Sequence, residues 1–140
     1  MDRFATAVWQ GGLKNGQGAL TTETGVLSNT PYSFSARFEN GTGTNPEELI
    51  AAAHAGCFTM ALSGKLEHAK MVAEKLQTKA TVTLDKSEKG FSITRIHLDV
   101  VARIPHADES AFLAAVQQAK ENCPVSRLFN AEITVSARIE

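Results

Sequence analysis

Cysteine is nearly absent from this chain, which carries only Cys57 and Cys123 among 140 residues. Two cysteines in a sequence with no export signal do not form a disulfide-stapled framework. Charge of one sign is missing as well. Fourteen basic residues stand against fifteen acidic ones, a formal net charge of -1, so neither nucleic acid nor an anionic membrane is an expected partner. Long hydrophobic runs are lacking. The most apolar segment, Leu49 to Leu62, is interrupted by His54, Cys57 and Thr59 and falls short of the roughly 20 residues of a membrane span. The first ten residues hold neither an apolar stretch nor a cleavage signal, so the expected location is cytoplasmic. Internal repeats and low-complexity linkers are also missing.

What remains is a chain with 43% apolar and 21% charged residues, the composition of a globular protein. Its length suits one domain, residues 1–140. The first 40 residues read as twisted antiparallel strands. Phe4 to Trp9, Thr21 to Val26 and Tyr32 to Phe38 are strand candidates, with turns at Gly11-Gly12, Asn15-Gly16, Gly18 and Ser28 to Pro31. Thr44-Asn45-Pro46-Glu47-Glu48 is a helix start: a capping residue, a first-turn proline and two acids. The helix it opens should run to about Lys70. Because its middle is apolar almost all round, it belongs at the centre of the fold.

Alternation then predicts two strands, Gln77 to Asp85 and Phe91 to Ile104, joined by a hairpin loop over Lys86 to Gly90. Ala80, Val82 and Leu84 share one face of the first. Ile96, Leu98, Val100, Ala102 and Ile104 share one face of the second. A further helix fits Asp108 to Glu121, with Phe112, Ala115, Val116 and Ala119 on one stripe. Pro124 breaks it, a short helix fits Pro124 to Phe129, and Ile133 to Ile139 closes the chain as a strand. The fold class is α+β: antiparallel sheets, a long buried central helix and a second helix.

Cys123 has the more legible chemistry. With Pro124 behind it at a first helical position, it sits at a helix N-cap, where unpaired N–H groups and the helix dipole favour a thiolate. Cys57 lies mid-helix, where desolvation should raise its pKa and keep it inert unless a cation arrives from elsewhere. His54 is three residues earlier on the same helix face. These residues alone leave several readings open: two packed thiols, half of a metal site with His54, or a redox pair. Spacing singles out neither Arg37 nor Glu47.

The runs Tyr32-Ser33-Phe34-Ser35-Ala36-Arg37-Phe38-Glu39-Asn40, Gly43 to Phe58, and Glu121-Asn122-Cys123-Pro124-Val125-Ser126 strongly resemble the OsmC/Ohr family of thiol peroxidases, and its OsmC branch in particular. The resemblance spans nearly the whole chain. It implies a cysteine-based peroxidase that reduces organic hydroperoxides, with Cys57 as the peroxidatic thiolate and Cys123 as the resolving cysteine. It implies that Arg37 stabilises the thiolate and Glu47 positions Arg37. In the Ohr branch that arginine comes from the earlier Gly-rich turn, where this chain has Leu13-Lys14.

The chemistry implied is a sulfenic acid on Cys57, condensation with Cys123 to a disulfide, and reduction by an external dithiol, in the family a lipoyl-type one. No cofactor or metal is required. Leu49, Phe58, Met60 and Phe129 are candidates for an apolar wall around the substrate. Glu47 and Cys57 are ten residues apart, about 15 Å along a helix axis, which with the resemblance leads us to expect an intertwined homodimer. A non-enzymatic redox sensor and a carrier of small apolar ligands are the competing classes.

Overall fold

The computed structural model describes Met1–Glu140. The chain falls into two compact units, Met1–Leu49 and Ile50–Glu140. Ten elements follow in order: β1 Ala5–Gln10, β2 Gln17–Thr22, β3 Thr30–Tyr32, α1 Phe34–Phe38, α2 Pro46–His68, β4 Lys75–Ser87, β5 Gly90–Arg103, α3 Glu109–Asn122, α4 Pro124–Leu128 and β6 Glu132–Ile139. The α+β class follows from two three-stranded sheets and four helices.

In the first unit β1, β2 and β3 form an antiparallel sheet in that order. Gly18, expected in a turn, lies inside β2. A Cβ there would run into the rings of Trp9 and Tyr32, which sit 5.4 Å apart. Its missing side chain is what lets the two aromatics close over the strand. The strand expected over Thr21 to Val26 ends at Thr22.

The strand expected over Tyr32 to Phe38 is mostly helix. Ser33 is the reason: its hydroxyl accepts from the Ala36 N–H at 3.1 Å and caps α1. Phe34 and Phe38 then meet one turn apart, ring centroids 4.8 Å from each other. Residues four apart share a helix face and would also share a strand face, so the aromatic alternation was ambiguous and the cap decided it.

The second unit holds the core. β4 and β5 pair antiparallel through a tight turn, with a register shift between Thr83 and Leu84. β6 joins the other edge of β5 in parallel, and α3 and α4 supply the crossover that a parallel pair requires. Ile96, Leu98, Val100 and Ala102 are wholly buried on one face of β5. Phe112, Ala115, Val116 and Ala119 from α3 and Phe58, Leu62 and Leu66 from α2 pack in the same cluster, which Cys123 completes. Asp108 caps α3 by accepting from the Ala111 N–H at 2.7 Å.

The central helix departs from expectation in one respect. α2 is long and apolar enough to pass a length-and-composition test for a membrane span, yet one side of it is the wall of this core. His54, Phe58, Leu62 and Leu66 are buried. The opposite side, with Ala52, Ala53, Gly56 and Met60, is exposed in the single chain. An all-round apolar helix was expected to be buried all round; within one chain only one side of it is covered.

Candidate active site

Four side chains were singled out by resemblance, and they fall into two pairs. The first is in the N-terminal unit. α1 delivers Arg37 in its last turn, and the first turn of α2 delivers Glu47. Asn45 fixes that turn: its Oδ1 accepts from the Glu48 N–H at 2.8 Å, while its amide donates to the Ala36 carbonyl at 3.3 Å. Arg37 donates from Nη2 to Glu47 Oε1 at 2.7 Å and from Nε to both carboxylate oxygens at 3.1 and 3.2 Å. This fork-on-carboxylate geometry fixes the guanidinium plane as a single-point contact would not. The guanidinium also lies 5.0 Å from the centroid of the Phe38 ring.

Beside Arg37 opens a mainly apolar cavity of about 270 Å³, walled by Trp9, Leu13, Tyr32, Phe34 and Phe38. None of the four residues expected to form an apolar wall contributes to it. Phe58 is wholly buried in the core, Met60 is exposed, and Phe129 stacks 5.6 Å from His54. The aromatic-rich cavity escaped sequence reasoning because its residues come from β1, the following turn, β3 and α1.

The second pair is in the C-terminal unit. Cys57 projects from the middle of α2, half-buried, and Cys123 is the buried residue between α3 and α4. Their Sγ atoms are 2.8 Å apart and both thiols are free. A bond between them would require closing to about 2.05 Å, a movement of under one ångström.

The two sulfurs differ electrostatically. Burial pushes the Cys57 thiol up, and its neighbour Cys123 adds to that, against a smaller pull from the Val125 N–H. Burial also opposes ionisation of Cys123. It is outweighed by donors that favour the thiolate: the Cys57 thiol, the N–H and hydroxyl of Ser126, and the Val125 N–H. These N–H groups belong to the first turn of α4, which Pro124 opens with no donor of its own. Cys123 is thus the N-cap of α4, as the position of Pro124 implied, and its surroundings favour ionisation more than those of Cys57 do.

His54, one turn before Cys57 on α2, has no exposed surface. Its Nε2 is 2.7 Å from the Ser126 hydroxyl, and its Nδ1 has no partner. Burial lowers its pKa and keeps the ring neutral. His54 turns its bonded nitrogen to Ser126, and no group of three or more His, Cys, Asp or Glu side chains gathers that could hold a metal ion.

A family model described as "OsmC-like protein" matches residues 39–138. The chain belongs to the OsmC-like family. It is 48% identical to Peroxiredoxin OsmC of Escherichia coli over 134 residues, which cover 96% of this chain and 94% of that protein. Organic hydroperoxide resistance protein OhrB of Bacillus subtilis is 29% identical over 88% of this chain and 89% of its own. The crystal structure of OhrB superposes with a TM-score of 0.67 at 27% identity, covering 98% of both chains. An OsmC-like protein from Vibrio cholerae shares the fold, with a TM-score of 0.78 over 99% of each chain at 16% identity.

Within this OsmC-like chain, sequence reasoning quoted Ser126 but gave it no role. The available signal was position: Ser126 stands three residues after a capping cysteine, where an N-cap atom meets the helix N–H groups.

Proposed function

We propose that this protein is a two-cysteine peroxidase that reduces organic hydroperoxides to alcohols, with Cys57 as the attacking thiolate and Cys123 as the resolving thiol. The observation that carries the reading is the 2.8 Å approach of two free thiols of unequal exposure. Charge favours Cys123, but Cys123 has no exposed surface and a peroxide in solvent cannot reach it. Cys57 is the partly exposed residue of the two, and access decides the first step.

In the mechanism we propose, the Cys57 thiolate attacks the distal peroxide oxygen. The O–O bond breaks, the alkoxide takes a proton and leaves as the alcohol, and Cys57 becomes a sulfenic acid. Cys123 attacks that sulfur, the S–O bond breaks, and hydroxide leaves with a proton as water. An external dithiol, of lipoyl type by family resemblance, reduces the disulfide by exchange. Arg37, held by Glu47, supplies the cation that Cys57 lacks. The apolar cavity beside Arg37 is suited to the organic tail of the substrate. The electrons pass between sulfur and oxygen, so no metal or organic cofactor enters.

We take residues 1–140 as one functional domain, because the match to the Escherichia coli relative covers 96% of the chain and so extends over both units. A homodimer is part of the proposal, supported by the exposed small and apolar face of α2 and by the family. The cytoplasm is the proposed location.

The test compares wild type with Cys57→Ser, Cys123→Ser and Arg37→Ala, supplied with cumene hydroperoxide and a dithiol. Cys57→Ser should consume no peroxide. Cys123→Ser should react once and stop at a sulfenic acid that a dimedone-type probe captures. Arg37→Ala should slow the first step by about 10²-fold or more, as for loss of a preorganised electrostatic donor. Continued turnover by Cys57→Ser, with only Cys123→Ser dead, would reverse the roles. Oxidation of wild type without turnover would make it a sensor.

A further inference from the structure

Across the N-terminal sheet, Trp9, Gly18 and Tyr32 stand directly opposite one another on β1, β2 and β3, so the three positions share one face. A glycine inside a strand weakens it and often marks a close approach. Here the space above the glycine is taken from both sides. A Cβ on Gly18 would overlap the Tyr32 ring and come within 2.7 Å of the Trp9 indole. A Cβ on Gly16 would meet the same indole at 2.8 Å. The indole N–H donates to the Gly11 carbonyl at 3.1 Å, which fixes how the ring is turned. The two aromatics are held at a tilt of 52°, centroids 5.4 Å apart.

Both rings wall the cavity beside Arg37, together with Phe34 and Phe38 of α1, a second tilted pair. Its volume of about 270 Å³ holds about nine water-sized groups. That is room for a phenyl ring on a branched carbon, whereas an extended acyl chain outruns it. Aromatic walls offer faces and edges to an aromatic guest. Arg37 gives Nε and Nη2 to Glu47, which leaves Nη1 to meet the oxygens of that guest.

We propose that the Trp9–Gly18–Tyr32 row determines substrate specificity: Gly18 lets the two rings close into a wall that seats a compact arylalkyl hydroperoxide and leaves a long linear one part-exposed. The substrate preference rests on the proposed peroxidase reading, but the binding of a compact aromatic guest does not.

The experiment therefore starts without peroxide. Trp9 is the only tryptophan of the chain, so its emission reports occupancy of the cavity directly. Cumyl alcohol, the product expected from cumene hydroperoxide, should shift that emission saturably. Gly18→Ala should weaken its binding about tenfold, the scale on which a pocket senses one added methyl group. In a Tyr32→Leu background the same methyl has room, so the further loss should be clearly smaller. An emission that cumyl alcohol leaves unchanged would overturn the proposal. So would a folded Gly18→Ala variant that binds as wild type does.

Should Gly18→Ala not fold, turnover by wild type and Tyr32→Leu gives the decision. With a dithiol present, wild type should show a higher kcat/KM for cumene hydroperoxide than for dodecyl hydroperoxide. Tyr32→Leu opens the wall and should narrow that preference about tenfold, through KM more than kcat. A wild type that prefers the dodecyl substrate would sink the idea, as would a preference untouched by Tyr32→Leu. Gly18-dependent binding of cumyl alcohol with no peroxide consumed would end the peroxidase reading and leave the pocket standing. Turnover with an emission blind to cumyl alcohol would do the reverse.

Discussion

A thiol that meets a peroxide needs a path to solvent, and a thiol that attacks a sulfenic acid needs negative charge. Cys57 has the path, Cys123 has the donors, and the same division serves the reductive half. In the proposed mechanism a reducing dithiol attacks the partly exposed Cys57 and expels Cys123, the thiol of lower pKa, which leaves faster. His54 adds a consequence for stability. Its folded pKa is depressed by burial from a usual value near 6.5, so the unfolded chain binds its proton first as pH falls. The native state therefore keeps the full contribution of a neutral His54 above about pH 6.5 and loses it as pH falls through the folded value. Urea midpoints measured between pH 7.5 and 5 should decline in wild type and decline less in His54→Gln. Parallel curves would mean that the imidazole titrates alike in both states.

At the scale of elements, the parts of the fold that were legible in sequence are those whose signals are local and agree. Proline and acids open α2, alternation marks β4 and β5, and Asp108 caps α3. α1 was misread because Tyr32 to Phe38 satisfies both the two-residue and the four-residue spacing. The parallel pairing of β6 with β5 was invisible because register between distant strands leaves no mark in either one. The redox pair was legible in part: position flagged Cys123, whereas Cys57 and Arg37 acquired roles from family resemblance alone. The cap of α1 now carries a functional weight, since it sets the short helix that delivers Arg37 to Glu47. Ser33→Ala should cost about 1 kcal/mol of stability and raise the KM for hydroperoxide through a displaced Arg37. Ser33→Asp, which keeps an acceptor at the cap, should retain both properties. Equal losses in the two variants would trace the effect to something other than the cap bond.

For the whole molecule, the question is what covers the other side of α2. Its sequence is apolar all round, and one chain buries only the side of His54, Phe58, Leu62 and Leu66. Ala52, Ala53, Gly56 and Met60 recur at helical spacing on the uncovered side, with Met60 75% exposed. Small residues allow a second helix to approach closely, and Met fills irregular gaps in such contacts. β1, exposed along its full length in the single chain, adds apolar and aromatic surface of its own. A second copy of this chain is the occupant we propose, its α2 laid against this one. Sedimentation should then give twice the 15.0 kDa chain mass. Met60→Asp would place a charge in the contact without touching Cys57, Cys123 or Arg37. It should shift the protein toward monomer and lower peroxidase turnover in step with the monomer fraction. A wild-type monomer with full activity would remove the dimer from the mechanism, and a dimeric Met60→Asp variant would move the interface off this face.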